Sequence, residues 1–333
     1  MWYNTDGREK NIVLSTRIRF ARNIAGYPFP SRLAPSAAAE IVALVRSVAD
    51  GYDFIDFAAL SPIEAMTYSE RRLVSADFAK PGGLPRGLIS RGDTYIMINE
   101  EDHLRLQAIK SGLAISEAFA EARAALVGLA LPFSFDEKLG YLTHCPTNLG
   151  TGMRASVMMF LPGISMAGKV DELMFSLSRM GFAIRGMYGE GSQSGGCLYQ
   201  VSNQVTMGIS EEDTVAKLED VVARIIERET HFRTLLTQQG ESLWDSVMRS
   251  YGTLKYARIL TSEEFMRHYV NLRLGIGVGY DGLAGFTAYA LDELMIDIMP
   301  AGLALREKAV DERVRDSVRA RVVRGFMNGE FNS

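Results

Sequence analysis

The chain has 333 residues, 47% of them hydrophobic and 23% charged, with a formal net charge of −4. That length suits about two domains, and the charge excludes a protein that holds nucleic acid or an anionic membrane by bulk electrostatics. Two cysteines, Cys145 and Cys197, are too few for a disulfide framework and point to a reducing compartment, the cytoplasm. The opening MWYNTDGREK has no apolar secretion signal, and no run is long and apolar enough to span a bilayer as a helix.

In chain order, NIVLSTRIRFARN begins as a strand: Ile12, Val13 and Leu14, then Thr16, Ile18 and Phe20 alternating with polar positions. Residues 35–50 read as an amphipathic helix, and DTYIMINE as a second strand. Asn99 is a good N-cap, so Glu100, Glu101 and Asp102 are expected in the first turn of a helix. SGLAISEAFAEARAALVGLAL comes next as a helix. RASVMMFLP reads as a buried strand, and residues 168–180 as a helix. Residues 181–210 read as strand, glycine-rich loop, strand. From Glu211 onward the pattern is mostly helical, with a boundary near residues 237–242. Strands and helices mix without a regular βαβ beat, so the expected class is α+β.

Five separated places put arginine beside small or acidic residues. Arg17 and Arg19 in STRIR project to one face of a strand, where they repel unless an anion lies between them; a solvated sheet face is the plainer explanation. NEEDHLR could be simple helix capping with a Glu101–Arg105 surface pair. GYLTHCPTNLGTGMRASV sets Cys145 at a polar, glycine-rich turn nine residues before Arg154. Such a turn lets backbone approach a ligand closely, although a lone cysteine is often just a small buried hydrophobe. RGMYGEGSQSGG carries Arg185 and Glu190 on what could be a plain hairpin loop. In RVRDSVRARVVRG, Val310, Val314, Val318 and Val322 form an expected apolar stripe, leaving Arg315 and Arg319 on an adjacent face with Asp316 between them. Together these places suggest an anion clamp with carboxylates and a thiol, which suits phosphoryl transfer. No phosphate-binding loop ending in GK[ST] and no protein-kinase HRD or DFG signature is present.

In this order, STRIR, NEEDHLR, CPTNLGT with Arg154, and RG-x-YGE resemble the phosphagen (guanidino) kinases over roughly residues 11–232. The resemblance implies an antiparallel sheet flanked by helices, as a catalytic domain over residues 1–235, followed by a smaller all-α domain over 236–333. Small-substrate members carry a helical domain before STRIR; here STRIR begins at residue 15, and the chain runs on about a hundred residues after the catalytic part. Both features, and RDSVRA (315–320), resemble the bacterial branch of the family that phosphorylates arginine in proteins.

That resemblance implies Glu101 and Glu190 as catalytic carboxylates and Cys145 as the thiol against the guanidinium, where a cation favours thiolate. It implies a nucleotide site of Ser15, Thr16, Arg17, Ile18, Arg19, Arg105, Arg154, Ala155, Ser156, Val157, Met158, Arg185, Gly186, Met187, Tyr188 and Gly189. Arg72 stands where the family has an adenine-site histidine. Arg315, Asp316, Arg319 and Ala320 would read phosphoarginine. ATP with Mg²⁺ is the implied donor, the ion being held by phosphates and water and not by a dedicated protein metal site. Implied partners are proteins with exposed arginine, an activator protein, a Clp-type protease or chaperone, and a second copy of the chain. The modification would mark proteins for degradation or control a stress-response repressor. A kinase of free arginine, or an idle phosphoarginine reader, are the alternatives.

Overall fold

A computed structural model describes residues 1–186, 196–238, 240–308 and 311–330. The chain opens with β1 (Val13–Arg22), α1 (Pro35–Val48), β2 (Asp53–Asp56), α2 (Pro62–Glu70), α3 (Ala76–Ala79), β3 (Gly87–Arg91), β4 (Thr94–Ile98), β5 (Leu104–Ser111) and α4 (Ile115–Gly128). A short ribbon of β6 (Phe135–Asp136) and β7 (Gly140–Tyr141) precedes β8 (Met153–Phe160), α5 (Pro162–Met166), α6 (Val170–Arg179), β9 (Phe182–Gly186) and β10 (Leu198–Asn203). The remainder is helical: α7 (Glu211–Thr237), α8 (Glu241–Tyr256), α9 (Ser262–Gly277), α10 (Ala288–Asp297), α11 (Pro300–Glu307) and α12 (Glu312–Met327).

Eight strands form one sheet in the order β2-β3-β4-β5-β1-β8-β10-β9, and every neighbouring pair is antiparallel. The period-2 pattern of β1 sorts its side chains. Thr16, Ile18 and Phe20 go to a buried face with Leu106, Ala108, Ala155 and Val157, while Arg17 and Arg19 go to the other. The buried face packs on α1, α4, α6 and α7 through residues such as Ile41, Ala118, Leu173 and Leu218. Each large aliphatic side chain taken out of water here contributes about 1.5–3 kcal/mol.

The second face is covered in two places. Over β3 and β4, Leu88 and Met97 pack with Phe57, Ala65, Val74 and Phe78 beneath α2 and α3. Leu14, Ile109, Met158, Phe160 and Leu198 join a cluster with Val247 of α8, Tyr269 of α9, Leu291 of α10, Leu303 of α11 and Val323 of α12. Arg273 of α9 fixes the contact. It is fully buried, meets Asp292 in a forked pair at 2.7 and 3.1 Å, and donates to the carbonyls of Lys10 and Asn11. The rest of this face stays open, and the arginines of β1 stand there.

Three expectations are corrected. NEEDHLR does not start a helix: it is the turn of the β4–β5 hairpin. Asn99 sits at φ +61°, where Asn is tolerated far better than most residues, and its side chain donates to the carbonyls of Ala38 and Pro85. The helix expected from Ser111 begins instead at Ile115, because β5 runs to Ser111 and Gly112 turns at φ +64°. On α12, Val314 is 50% exposed and Val322 is buried, while Arg319 is only 2% exposed. The buried side of this helix therefore includes an arginine that the spacing had placed outside it; Val310 lies outside the described residues.

Candidate active site

Four strands aim arginines at the open face. The register sets Arg19 opposite Arg154 on β8 and opposite Gln107 on β5, with Arg105 one step along. Arg185 lies on β9 across from Gln200. Arg154 donates to Ser202 at 3.0 Å and Arg17 reaches Gln200 at 3.4 Å. The Nε atoms of Arg19 and Arg154 are buried with no hydrogen-bond partner among the described residues. Burial first, and then the neighbouring guanidiniums, push the pKa values of Arg17, Arg19 and Arg154 down. A guanidinium does not give up its proton at neutral pH, so this unfavourable field is relieved by a bound anion. Unpaired donors and mutual repulsion together describe a phosphate site.

The β4–β5 turn supplies acids with different surroundings. Glu100 accepts from Arg105 at 2.5 Å and from Ser75 at 2.6 Å. Asp102, almost wholly buried, accepts from the Asn23 side chain at 2.6 Å and from the His144 backbone at 2.7 Å. His103 behind it takes the Ile24 N–H on Nδ1, so Nε2 carries the proton and donates to Pro28; burial lowers its pKa and keeps it neutral. The Glu101 side chain makes no hydrogen bond among the described residues. Burial, then Asp102 and Glu100, raise its pKa, opposed by Arg105 and His144.

Asp102 thus ties the acidic turn to the loop that carries Cys145. That loop depends on its glycines. Gly150 has φ +98°, and a Cβ there would collide with the Thr206 carbonyl. Arg22 pins the loop by donating to Thr151 at 2.8 Å and stacking 3.5 Å over the Tyr141 ring. Cys145 is half-buried with Sγ 3.0 Å from the Thr147 hydroxyl. Cys197, by contrast, is pushed up to about 11 by burial and is an inert thiol.

Two cavities adjoin. One, of about 160 Å³, holds Glu100, Glu101, Cys145, Asn148 and Arg154. The other, of about 230 Å³, holds Arg17, Arg72, Val74, Met97 and Gln107. Arg19 and Arg105 line both. Of the expected site residues, Thr16, Ile18, Ala155 and Val157 face the core behind the sheet, so only their backbone is available to a nucleotide. Ser156 bonds the Arg17 carbonyl, Ser15 shares the arginine face, and Met158 packs under the C-terminal helices. Gly186 ends β9. Glu190, Met187, Tyr188 and Gly189 lie outside the described residues. Sequence reasoning missed Asp102, Gln107 and Glu100; the buried acid within a run of three was the available signal.

The distant motif is less open than its spacing implied. Arg319 donates to the carbonyls of Leu260 and Ile298 and pairs with Asp316. Ala320 is buried and Arg315 half-buried.

A model of the ATP:guanido phosphotransferase C-terminal catalytic domain matches residues 38–232, and one of the protein-arginine kinase McsB C-terminal domain matches 240–331. The chain is 38% identical to a protein-arginine kinase of Pelotomaculum thermopropionicum, covering 97% of this chain and 94% of that one. It is also 38% identical to one of Geobacillus kaustophilus, covering 96% and 93%. The fold resembles a lombricine kinase (TM-score 0.59, 24% identity, 69% of this chain and 68% of that one) and a taurocyamine kinase of Schistosoma mansoni (TM-score 0.60, 23% identity, 69% and 35%). Its two parts point the same way, and the chain belongs to the ATP:guanido phosphotransferase family, on the branch of the protein-arginine kinases.

Proposed function

We propose that the protein transfers the γ-phosphoryl group of ATP to the guanidinium of arginine side chains in proteins. The observation that carries this is the pair of cavities joined through Arg19 and Arg105. One end offers carboxylates and a thiol to a cation. The other offers arginines and the apolar walls of Val74 and Met97 to a nucleotide. The transferring group then sits between them, against guanidiniums whose charge offsets what develops as phosphorus is attacked.

Glu101 orients the substrate guanidinium through its planar fork and takes the proton that nitrogen loses as it bonds to phosphorus. Its raised pKa suits a base. Cys145, lining the same cavity, lies against the guanidinium and aligns it without forming a covalent bond. Glu190 joins as the second carboxylate on the strength of the resemblance. Mg²⁺ enters as part of the MgATP substrate. No cluster of three His, Cys, Asp or Glu side chains that could hold a metal occurs among the described residues, and the arginine-rich cavity favours an ion already covered by phosphate oxygens and water. Residues 315–320 form a second phosphoarginine site in this reading, with Arg315 as its accessible charge. The wider role, a mark for degradation or control of a repressor, with an activator, a Clp-type partner, a homodimer and a cytoplasmic setting, rests on the resemblance alone.

The test is mass spectrometry under non-acidic conditions on an arginine-rich protein incubated with enzyme and MgATP. Acid-labile phosphate on arginine is expected. Efficient turnover of free arginine with none on protein would overturn the reading.

A further inference from the structure

The segment from Glu70 to Leu73 connects two parts of the molecule that the proposed reaction does not connect. Glu70 is the last residue of α2. Its carboxylate crosses to the start of α11 and accepts from the backbone of Ala301 at 2.7 Å and Gly302 at 2.9 Å. Helix α11 has no side-chain cap of its own, because its N-cap is Met299. Two of the donors that a helix start leaves open are therefore satisfied by an acid 231 positions away. Burial pushes the Glu70 pKa up, while these two N–H groups, Arg315 and Arg71 pull it down.

Two residues later Arg72 lines the cavity shared by Arg17, Arg19 and Arg105. Its φ is +62°, a left-handed conformation that non-glycine residues hold only when their surroundings impose it. The end of α2 imposes it first: the Arg72 N–H donates to the Ser69 carbonyl and the Leu73 N–H to the Tyr68 carbonyl, both at 2.9 Å, closing the helix over a left-handed residue. Side chains from distant parts of the chain then fix where this helix end lies. Trp2 Nε1 donates to the Arg71 carbonyl at 2.9 Å. Gln107 Nε2 donates to the carbonyls of Arg72 at 3.0 Å and Leu73 at 2.6 Å. These three bonds tie residues 71–73 to the start of the chain and to β5. Glu70 ties the same helix end to α11, and is the only one of these side-chain anchors set on the C-terminal helices.

We infer that Glu70 is a positioning residue for the nucleotide: by capping α11 it holds the C-terminal end of α2, and with it Arg72, against the cavity. The inference rests on the reading of that cavity as the ATP site. Without the Glu70 anchor, the end of α2 shifts with its left-handed turn intact, and the Arg72 guanidinium moves away from the cavity. ATP then binds more weakly, while Glu101 and Cys145 are untouched, so turnover at saturating ATP is kept.

The experiment titrates MgATP calorimetrically into the full chain and into four variants, with KM and kcat measured alongside. Glu70→Ala should raise the dissociation constant and the KM for ATP about five- to tenfold, the loss of roughly one charge-assisted contact, with kcat within about twofold. Glu70→Gln keeps one acceptor oxygen, should fall between, and serves if the alanine variant folds poorly. Val247→Ala, in the buried cluster of the C-terminal helices but without a hydrogen bond to residues 70–73, should lower Tm and leave ATP affinity alone. Arg105→Ala reports on the cavity itself. Undiminished ATP binding in Arg105→Ala overturns the ATP-site reading and the role of Glu70 with it. Weakened binding in Arg105→Ala, with unchanged affinity in both Glu70 variants, overturns the role of Glu70 alone. An equal loss in Val247→Ala reduces Glu70 to a general stabiliser and also overturns it.

Discussion

Glu100 and Glu101 are neighbours in sequence and do opposite jobs. Glu100 is spent on Ser75 and Arg105, so it sets the position of an arginine that both cavities share. Glu101 keeps its oxygens free of the described residues and carries a raised pKa. A base must be unprotonated, so activity should fall as pH drops, and at a higher pH than for an unperturbed glutamate. Glu101→Gln should cost about 10²–10⁴-fold in kcat/KM while ATP still binds. Glu100→Gln should instead weaken ATP binding by loosening Arg105. A pH profile of kcat/KM with parallel ATP titrations checks both, and Glu101→Gln keeping more than roughly a tenth of the rate would remove Glu101 from the chemistry. The identity of Glu101 was legible only through its motif. Its environment was not, because the same four residues, Asn99 to Asp102, compose an equally good helix start.

The residues after that turn decide between helix and hairpin. In LRLQAIK, Leu104, Leu106 and Ala108 alternate with Arg105, Gln107 and Ile109, and both sets find work on opposite faces of β5: a core on one, Gln107 and Arg105 in the cavity on the other. Period 2 overrides the capping signal, and Asn99 accepts the left-handed turn. The strand β1 was readable from its alternation, because one face buries Thr16, Ile18 and Phe20 while Arg17 and Arg19 go to the other. The Cys145 loop was readable as special from glycine and polarity, but not the reason Gly150 is needed, since Thr206 comes from a different element. Gly150→Ala should displace the loop, costing more than about 2 kcal/mol from strain and collision with backbone. Thermal unfolding should show it, and turnover should fall although no catalytic side chain is changed. Normal Tm with normal rate would mean the loop tolerates the turn being rebuilt.

The two parts of the molecule are bound by buried charge as well as by an apolar seam. Arg273 with Asp292 grips Lys10 and Asn11, and Glu70 caps α11; Arg233 of α7 makes the same kind of clamp within the first part, to Asn11 and Phe160. Arginines serve here as structural clamps, which spacing cannot tell from arginines that bind ligand. RDSVRA shows the cost of that degeneracy. Arg319 closes the α8–α9 turn onto α12 through Leu260 and reaches Ile298 at the end of α10. Removing it leaves buried carbonyls without donors, each worth about 1–3 kcal/mol. Among the described residues Arg315 holds no such carbonyl, and it stands half-buried near Glu70. Arg315→Ala should therefore leave Tm within a degree or two and weaken free phosphoarginine about tenfold or more, as befits a lost charge-assisted contact. Arg319→Ala should lower Tm by several degrees, and its loss of phosphoarginine affinity should be recovered in part at lower temperature as the fold tightens. Calorimetric titration of phosphoarginine, with ATP absent, beside thermal unfolding separates the two. If Arg315→Ala binds phosphoarginine as the unaltered chain does, residues 315–320 are a clamp between helices and not a second site for the product.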